Sequence, residues 1–397
     1  MPSPSDLGAA AVDLATTLIA IDSVNPSLVP SAEGEAHIAS VLAERLEGAG
    51  YTVELFPAPS DARRVSVLAQ HTGSRSGRTI VLNGHLDTVG VEGMPQPFAP
   101  RIDDGRLTGR GASDMKGGLA GLVVAAERLA ELDAPGTVIV ALVADEEDAS
   151  VGAETVLQHL AARGVRMDLC LIGEPTWLDF AAAHRGYSVV EVSLRGKAAH
   201  SSQPDEGVDA ARATGELLAS IAQADEDLRQ RSRHPLLPHG SLMATVVRAG
   251  SAPFTVAATA SVTVERRTVP GEAAADALEE VRALVDTVTA RTPGLTAEVT
   301  LTHAREAWEA DAAGSAAEFT TLLGEALVAA GSRRPDAVGE PYWMESALWQ
   351  AAGVPTVVCG PAGGGLHAVD EWVEVAQVER YAIAVTDAVG RFLEARA

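Results

Sequence analysis

The chain has 397 residues, a formal net charge of −24 and a sequence pI near 4.7. One hydrophobic core is too few for that length, so two domains are expected. The acidity sets nucleic acid and anionic membranes aside as partners, because their phosphates would be repelled, and no charge-free run reaches the roughly 18 apolar residues of a membrane span.

In chain order, Asp6 is placed to cap a first helix ending near Ile21. Residues 33–50 carry apolar side chains at helical spacing (Ile38, Leu42, Leu46) and stop on a glycine. Strands are expected at 52–56, 65–70 and 79–82. After the last of these, Gly84 is read as letting the backbone turn, so that His85 and Asp87 follow on a short linker. Residues 101–111 read as a connector rich in Gly and Asp. Asp114 precedes a helix whose small residues (Gly117, Gly118, Ala120, Gly121) suit close packing on a sheet. Strand 137–144 runs directly into the acidic group Asp145, Glu146, Glu147 and Asp148. Strand 167–172 runs into Glu174.

Three apolar strands thus end in carboxylates or a histidine. In doubly wound α/β sheets ligands sit at the carboxyl ends of the strands, which puts His85, Asp87, Asp114, Glu146, Glu147 and Glu174 on one rim. Acidic residues after strands also serve as helix caps, but the doublet Glu146 and Glu147 needs positive charge nearby to offset its repulsion.

From about Gly186 the pattern changes. Strands at 189–194, 242–247, 256–266 and 297–302 and helices at 208–230 and 272–291 follow the order β-α-β-β-α-β, a ferredoxin-like α+β arrangement. The fold class is therefore α/β. Residues 1–185 and 303–397 form a discontinuous catalytic domain with a mostly parallel sheet flanked by helices. Residues 186–302 are expected to be an inserted lid and dimerisation domain that swings near Gly186 and Thr302. The first domain resumes with helix 313–330, strand 354–359 and helix 375–395. The glycines of 360–370 bring backbone close to something, with Gly364 taken as substrate-binding and His367 at a further strand end.

Two histidines, an aspartate and two glutamates make a donor set for Zn²⁺, with Co²⁺ or Mn²⁺ as alternatives. Five protein donors exceed one catalytic zinc and fit two cations sharing a carboxylate and a water. One carboxylate must then carry the water's proton to a leaving amine. The doublet offers Glu147 for metal and Glu146 as base, which predicts amide or peptide hydrolysis.

The segments Gly84-His-Leu-Asp-Thr-Val89, Gly109-Arg-Gly-Ala-Ser-Asp-Met-Lys-Gly-Gly118, Asp145-Glu-Glu147, Ile172-Gly-Glu-Pro-Thr176, Gly196-Lys-Ala-Ala-His-Ser-Ser-Gln-Pro204, Arg267-Thr-Val-Pro-Gly271 and His367-Ala-Val-Asp-Glu371 resemble, in order, the M20 family of dinuclear metallohydrolases. The likeness is to its acetylornithine deacetylase and succinyl-diaminopimelate desuccinylase branch. That resemblance implies that Asp114 bridges two metals, that His85 and Glu174 bind one, and that Glu147 and His367 bind the other. It also implies Glu146 as general base, Asp87 as the residue orienting His85, and a cis peptide at Asp114–Met115. His200 would stabilise an oxyanion in a neighbouring subunit, implying a homodimer, and Arg267 would grip a substrate carboxylate. Phe254 departs from the family's pattern and would make the pocket more apolar; Glu345 stands where Asp is expected.

The implied reaction removes an N-acyl group from an amino acid by a metal-activated water. The alternatives are a dipeptidase or glutamate-type carboxypeptidase of the same fold, or a binding protein that keeps the scaffold only. The absence of a basic-then-apolar leader, with Cys170 and Cys359 in apolar runs, implies a cytoplasmic protein.

Overall fold

The computed structural model describes residues 4–58, 61–231 and 233–394. The chain folds into two compact units. The first comprises Met1–Ala181, Ala310–Val338 and Met344–Ala397; the second comprises Ala182–Glu309 and Gly339–Trp343.

The first unit is built on a sheet that is parallel at its centre. Strands Thr137–Val143, Thr79–His85, Leu169–Ile172 and Thr356–Val358 lie side by side in that order, each parallel to the next. Strand Asp61–Thr72 runs antiparallel outside Thr137–Val143, and Thr52–Ala58 lies beyond it. The central strands are buried on both faces along nearly their whole length, and this is why they read as continuous apolar runs. Helices Pro4–Ile19, Gly117–Glu131, Gly314–Ala329 and Val375–Glu394 pack on one another and close one core with the sheet.

In the second unit the sheet order is Ser241–Ala249, Thr259–Thr268, Gly186–Arg195, Thr296–Arg305, antiparallel throughout. Its two inner strands alternate buried and half-buried residues. Val190, Val192, Leu194, Val262 and Val264 face a core with Leu217 and Val281 of helices Ala210–Arg231 and Ala277–Arg291. One face is thus covered by helices, as the period-two pattern requires. The unit reaches beyond 186 and 302, to Ala182 and Glu309, and there His184 pairs with Trp308 across a short ladder with the two rings stacked at 5.5 Å. A register shift between Leu301 and His303 interrupts the alternation inside strand Thr296–Arg305, which is why the sequence pattern fades near 302.

Several local expectations need correction. Strand Thr79–His85 runs through Gly84 without turning. What Gly84 provides is space: a Cβ there would lie 2.6 Å from Met115 Cε. Asp6 sits inside the first turn of its helix, not ahead of it. The 101–111 connector contains two short strands, Arg101–Asp103 and Arg106–Thr108, paired with each other, and the second also pairs with Trp372–Glu374. Helix Val151–Ala162, after the acidic group, was not anticipated. Among the described residues no helix is long and apolar enough to cross a membrane.

Candidate metal centre

The parallel register fixes the rim. His85 pairs with Val143 and Asn83 with Ile172, so His85, the 145–147 group and Glu174 emerge together where three neighbouring strands end. Asp114 arrives from the segment Ala112–Lys116, whose Asp114–Met115 peptide bond is cis, the bond singled out from the sequence. Helix Gly117–Glu131 follows at once. A Cβ on Gly118 would fall 2.0 Å from the Gly173 carbonyl oxygen, so a glycine is needed for the helix to start against the backbone that carries Glu174. His367 stands on a loop with φ 61°, a left-handed conformation that histidine tolerates better than most residues.

These elements bring two donor groups together, His85 with Asp114 and Glu174, and Asp114 with Glu147 and His367. Asp114 belongs to both. Its Oδ1 is 3.0 Å from His85 Nε2, and its Oδ2 is 3.4 Å from His367 Nε2. Glu174 Oε1 lies 3.8 Å from His85 Nε2, and Glu147 Oε2 lies 3.2 Å from His367 Nε2. Donors about 2.0–2.2 Å from a tetrahedral cation stand about 3.3–3.6 Å apart, and the separations of 3.0 and 3.8 Å in one group and 3.4 and 3.2 Å in the other lie within a few tenths of an ångström of that spacing. Glu147 Oε1 is buried and has no hydrogen-bond partner among the described residues, as an oxygen reserved for a cation would be. The residues present fit two divalent cations with Asp114 between them.

His85 is aimed by its neighbour. Its Nδ1 is 3.0 Å from the Asp87 carbonyl oxygen, which can only accept, so Nδ1 carries a ring proton and Nε2 is the nitrogen turned toward Asp114 and Glu174 that a cation there would bind. The Asp87 carboxylate is 3.4 Å from the same nitrogen but is mainly engaged elsewhere. It accepts from Asn25 Nδ2 at 2.8 Å and from the amides of Glu146 and Glu147 at 3.1 Å each. Asp87 therefore fixes the turn that presents the doublet.

Charge crowding is plain in the proton affinities. Burial, with Glu174 and Glu147 nearby, pushes the Glu146 carboxyl well above the usual range. Burial likewise lifts Glu174 to about 8. Hydrogen bonds to Asp114 and Glu147 raise His367 to about 10. Protons collect where dications would otherwise offset the carboxylates. The Glu146 carboxylate itself makes no hydrogen bond or ion pair among the described residues.

Sequence reasoning missed the residues that hold this rim. Glu371 is 1% exposed and accepts from Arg110 at 2.7 Å and from the amides of Gly111, Ser113 and Asp114 at 2.9, 3.0 and 3.1 Å. It closes one of the recognised segments, and its place there was the available signal. Asn25 bridges Asp87 and Asp145 through one amide nitrogen while Arg64 pairs with Asp145 at 2.9 Å; nothing local marked either residue.

The other candidates lie in the second unit. His200 is exposed, and its Nδ1 accepts the Ser202 amide at 3.2 Å, which leaves the neutral ring's proton on Nε2. Arg267 is held by Glu265 at 2.7 Å with its guanidinium 5.3 Å from the Tyr187 ring centre. Phe254 is 75% exposed at φ 63°, its carbonyl bound by the Ser201 amide. In the first unit, Gly364 lies against the Trp372 ring, 2.8 Å from its Nε1 to a Cβ built on the glycine.

Residues 81–391 match the family described as peptidase family M20/M25/M40. An acetylornithine deacetylase from Proteus mirabilis (strain HI4320) is 28% identical over 375 residues, covering 93% of each chain. Among solved structures, a tripeptidase from Staphylococcus aureus superposes with a TM-score of 0.80 at 18% identity over 98% of this chain and 99% of its own. A dinuclear metal-binding M20 peptidase from Bacillus subtilis gives 0.72 at 17% identity over 98% and 97%. The chain belongs to peptidase family M20/M25/M40 and is a hydrolase of amide bonds.

Proposed function

We propose that the chain removes an N-acyl group from an amino acid, and that two divalent cations, zinc first and cobalt or manganese as substitutes, would be held by the two donor groups to which Asp114 is common. The observation that carries this reading is the split of the Asp114 carboxylate, one oxygen toward His85 and Glu174 and the other toward Glu147 and His367. His85 and Glu174 would hold one ion, Glu147 and His367 the other. Bound there, the pair supplies an acidified water and a polarised scissile carbonyl.

The chain's own residues do the rest. Glu146 is unengaged, half-buried and proton-hungry, the state wanted in a base that takes the water's proton and passes it to the leaving amine. Asp87 keeps both the His85 ring and the doublet's backbone in place. The second unit acts as lid and dimerisation domain. From a neighbouring copy, the Nε2 proton of His200 stabilises the oxyanion. Arg267 exchanges the Glu265 carboxylate, an ion pair of small worth at a partly exposed site, for the substrate's. Phe254 and Gly364 shape the pocket. Free, buried Cys170 and Cys359 accord with a reducing cytoplasm.

The test pairs metal analysis with turnover. Glu146→Gln keeps its metal and loses activity on N-acetyl amino acids by a factor of about 100 to 10,000. Full activity of that variant rejects the base assignment. Faster cleavage of dipeptides than of N-acetyl amino acids by the wild type moves the chain to the dipeptidase reading.

A further inference from the structure

Just past Glu174 the backbone does something costly. Asp179 N donates to Thr176 O at 3.0 Å, closing a four-residue turn whose central residues are Trp177 at φ 58° and Leu178 at φ 61°. Two consecutive left-handed residues define a type I′ turn, which favours Asn-Gly. A bulky pair pays steric strain there, and such strain persists only where surroundings over-determine it. They do so here. Leu178 is 5% exposed in the main core and its amide binds the Gly360 carbonyl at 3.0 Å, while Thr176 Oγ1 donates to Asp179 O at 2.6 Å. Leu178 accounts for its own position, but Trp177 does not. Its indole remains 48% exposed, touching the Trp372 ring edge-on at 6.1 Å.

The exposed indole borders a cavity of about 330 Å³, also lined by Ser332, Glu374, Gln377 and Arg380. Arg380 is half-buried, and its guanidinium makes no hydrogen bond or ion pair among the described residues. Glu374 gives one oxygen, Oε2, to Gln377 at 2.8 Å and keeps Oε1 free among them. Ser332 Oγ is buried without a partner among the described residues. The other two charged residues of the wall, Arg333 and Asp179, satisfy each other, and Arg333 is also held by Asp336. None of these residues belongs to the two donor groups.

One free cation, one free carboxylate oxygen and an aromatic face in a small cavity are complementary to a zwitterion with an apolar side chain. We propose that this cavity is a second, non-catalytic site for a free α-amino acid with an aromatic or bulky apolar side chain. Arg380 takes its carboxylate, Glu374 its ammonium, and Trp177 its side chain. An N-acylated amino acid lacks the ammonium, so the site distinguishes the product of deacylation from the substrate; only this last point rests on the deacylase reading.

The experiment is calorimetric titration of the metal-loaded chain with L-phenylalanine, beside phenethylamine and 3-phenylpropanoate. L-Phenylalanine is expected to bind, and each analogue missing a charge to bind about tenfold more weakly or worse. Arg380→Gln and Trp177→Asn should each weaken L-phenylalanine by about tenfold or more. Arg380→Gln removes no hydrogen bond or ion pair among the described residues, so it tests the site even if Trp177→Asn proves unstable. Unchanged affinity in Arg380→Gln, or no binding of L-phenylalanine by the wild type, overturns the proposal. The readout is binding alone, so it stands or falls separately from turnover of N-acyl amino acids.

Discussion

Replacing Glu371 by alanine separates the support of the metal centre from its donors. The Glu371 carboxylate is 1% exposed and is the sole ion-pair partner of Arg110 among the described residues, while also binding the amides of Gly111, Ser113 and Asp114. Removing one partner of a buried ion pair costs about 3–5 kcal/mol. The three amides add little more, because water entering the vacated space can bind them. For a folding unit of this size, each kcal/mol lowers the melting temperature by about 2–4 °C, so Glu371→Ala is expected to melt about 6–20 °C lower. Glu371→Gln keeps the volume and one accepting oxygen and should lose about half as much. The Asp114 amide also loses its anchor, and removing such a support beside a metal ligand weakens metal affinity by about 10–100-fold. Thermal unfolding followed by circular dichroism, with zinc titration against a competing chelator, measures both quantities. An alanine variant within about 1 kcal/mol of wild type, binding zinc equally well, refutes the reasoning.

Stripping divalent cations should lower the melting temperature and abolish turnover, because carboxylates of Asp114, Glu146, Glu147 and Glu174 are left facing one another; zinc at about 100 times its dissociation constant should restore about 2.7 kcal/mol. A melting curve indifferent to chelation would count against the cage. Gly118→Ala places a Cβ 2.0 Å from the Gly173 carbonyl oxygen, so it should destabilise by about 1–3 kcal/mol or more, readable as lost soluble protein or a lower urea midpoint. Burial, with Asp87 nearby, lifts Glu35 from 4.5 to about 8. The folded chain therefore keeps a proton that the unfolded chain has released, and stability falls as pH rises through that window. Glu35→Gln should flatten this slope in urea unfolding measured from pH 5 to 8 (about the range set by those two values); an unchanged slope removes Glu35 from the account.

Much of this protein was legible before folding was considered. Strands buried on both faces must be apolar throughout, so 79–82, 137–144 and 167–172 announced a covered parallel sheet, and the polar residues at their ends announced its rim. Alternation in 189–194 and 256–266 announced a sheet with one open face. Donor chemistry marked a metal-binding rim, since few other arrangements explain adjacent carboxylates after an apolar strand, and the family resemblance picked out His85, Asp114, Glu147, Glu174 and His367 within it.

What pattern could not supply was anything set by contacts distant in sequence. Gly84 looked like a turn, but its missing Cβ is required by Met115, 31 residues later. Asn25 and Arg64 carry no local signature because their partners, Asp87 and Asp145, are brought to them by strand pairing. The left-handed turn at Trp177 contradicts its own residue preferences and is imposed by Leu178 in the core and by the Gly360 carbonyl. Composition and period are properties of neighbours along the chain, whereas close approach, buried hydrogen bonds and strain depend on partners that only the folded chain assembles.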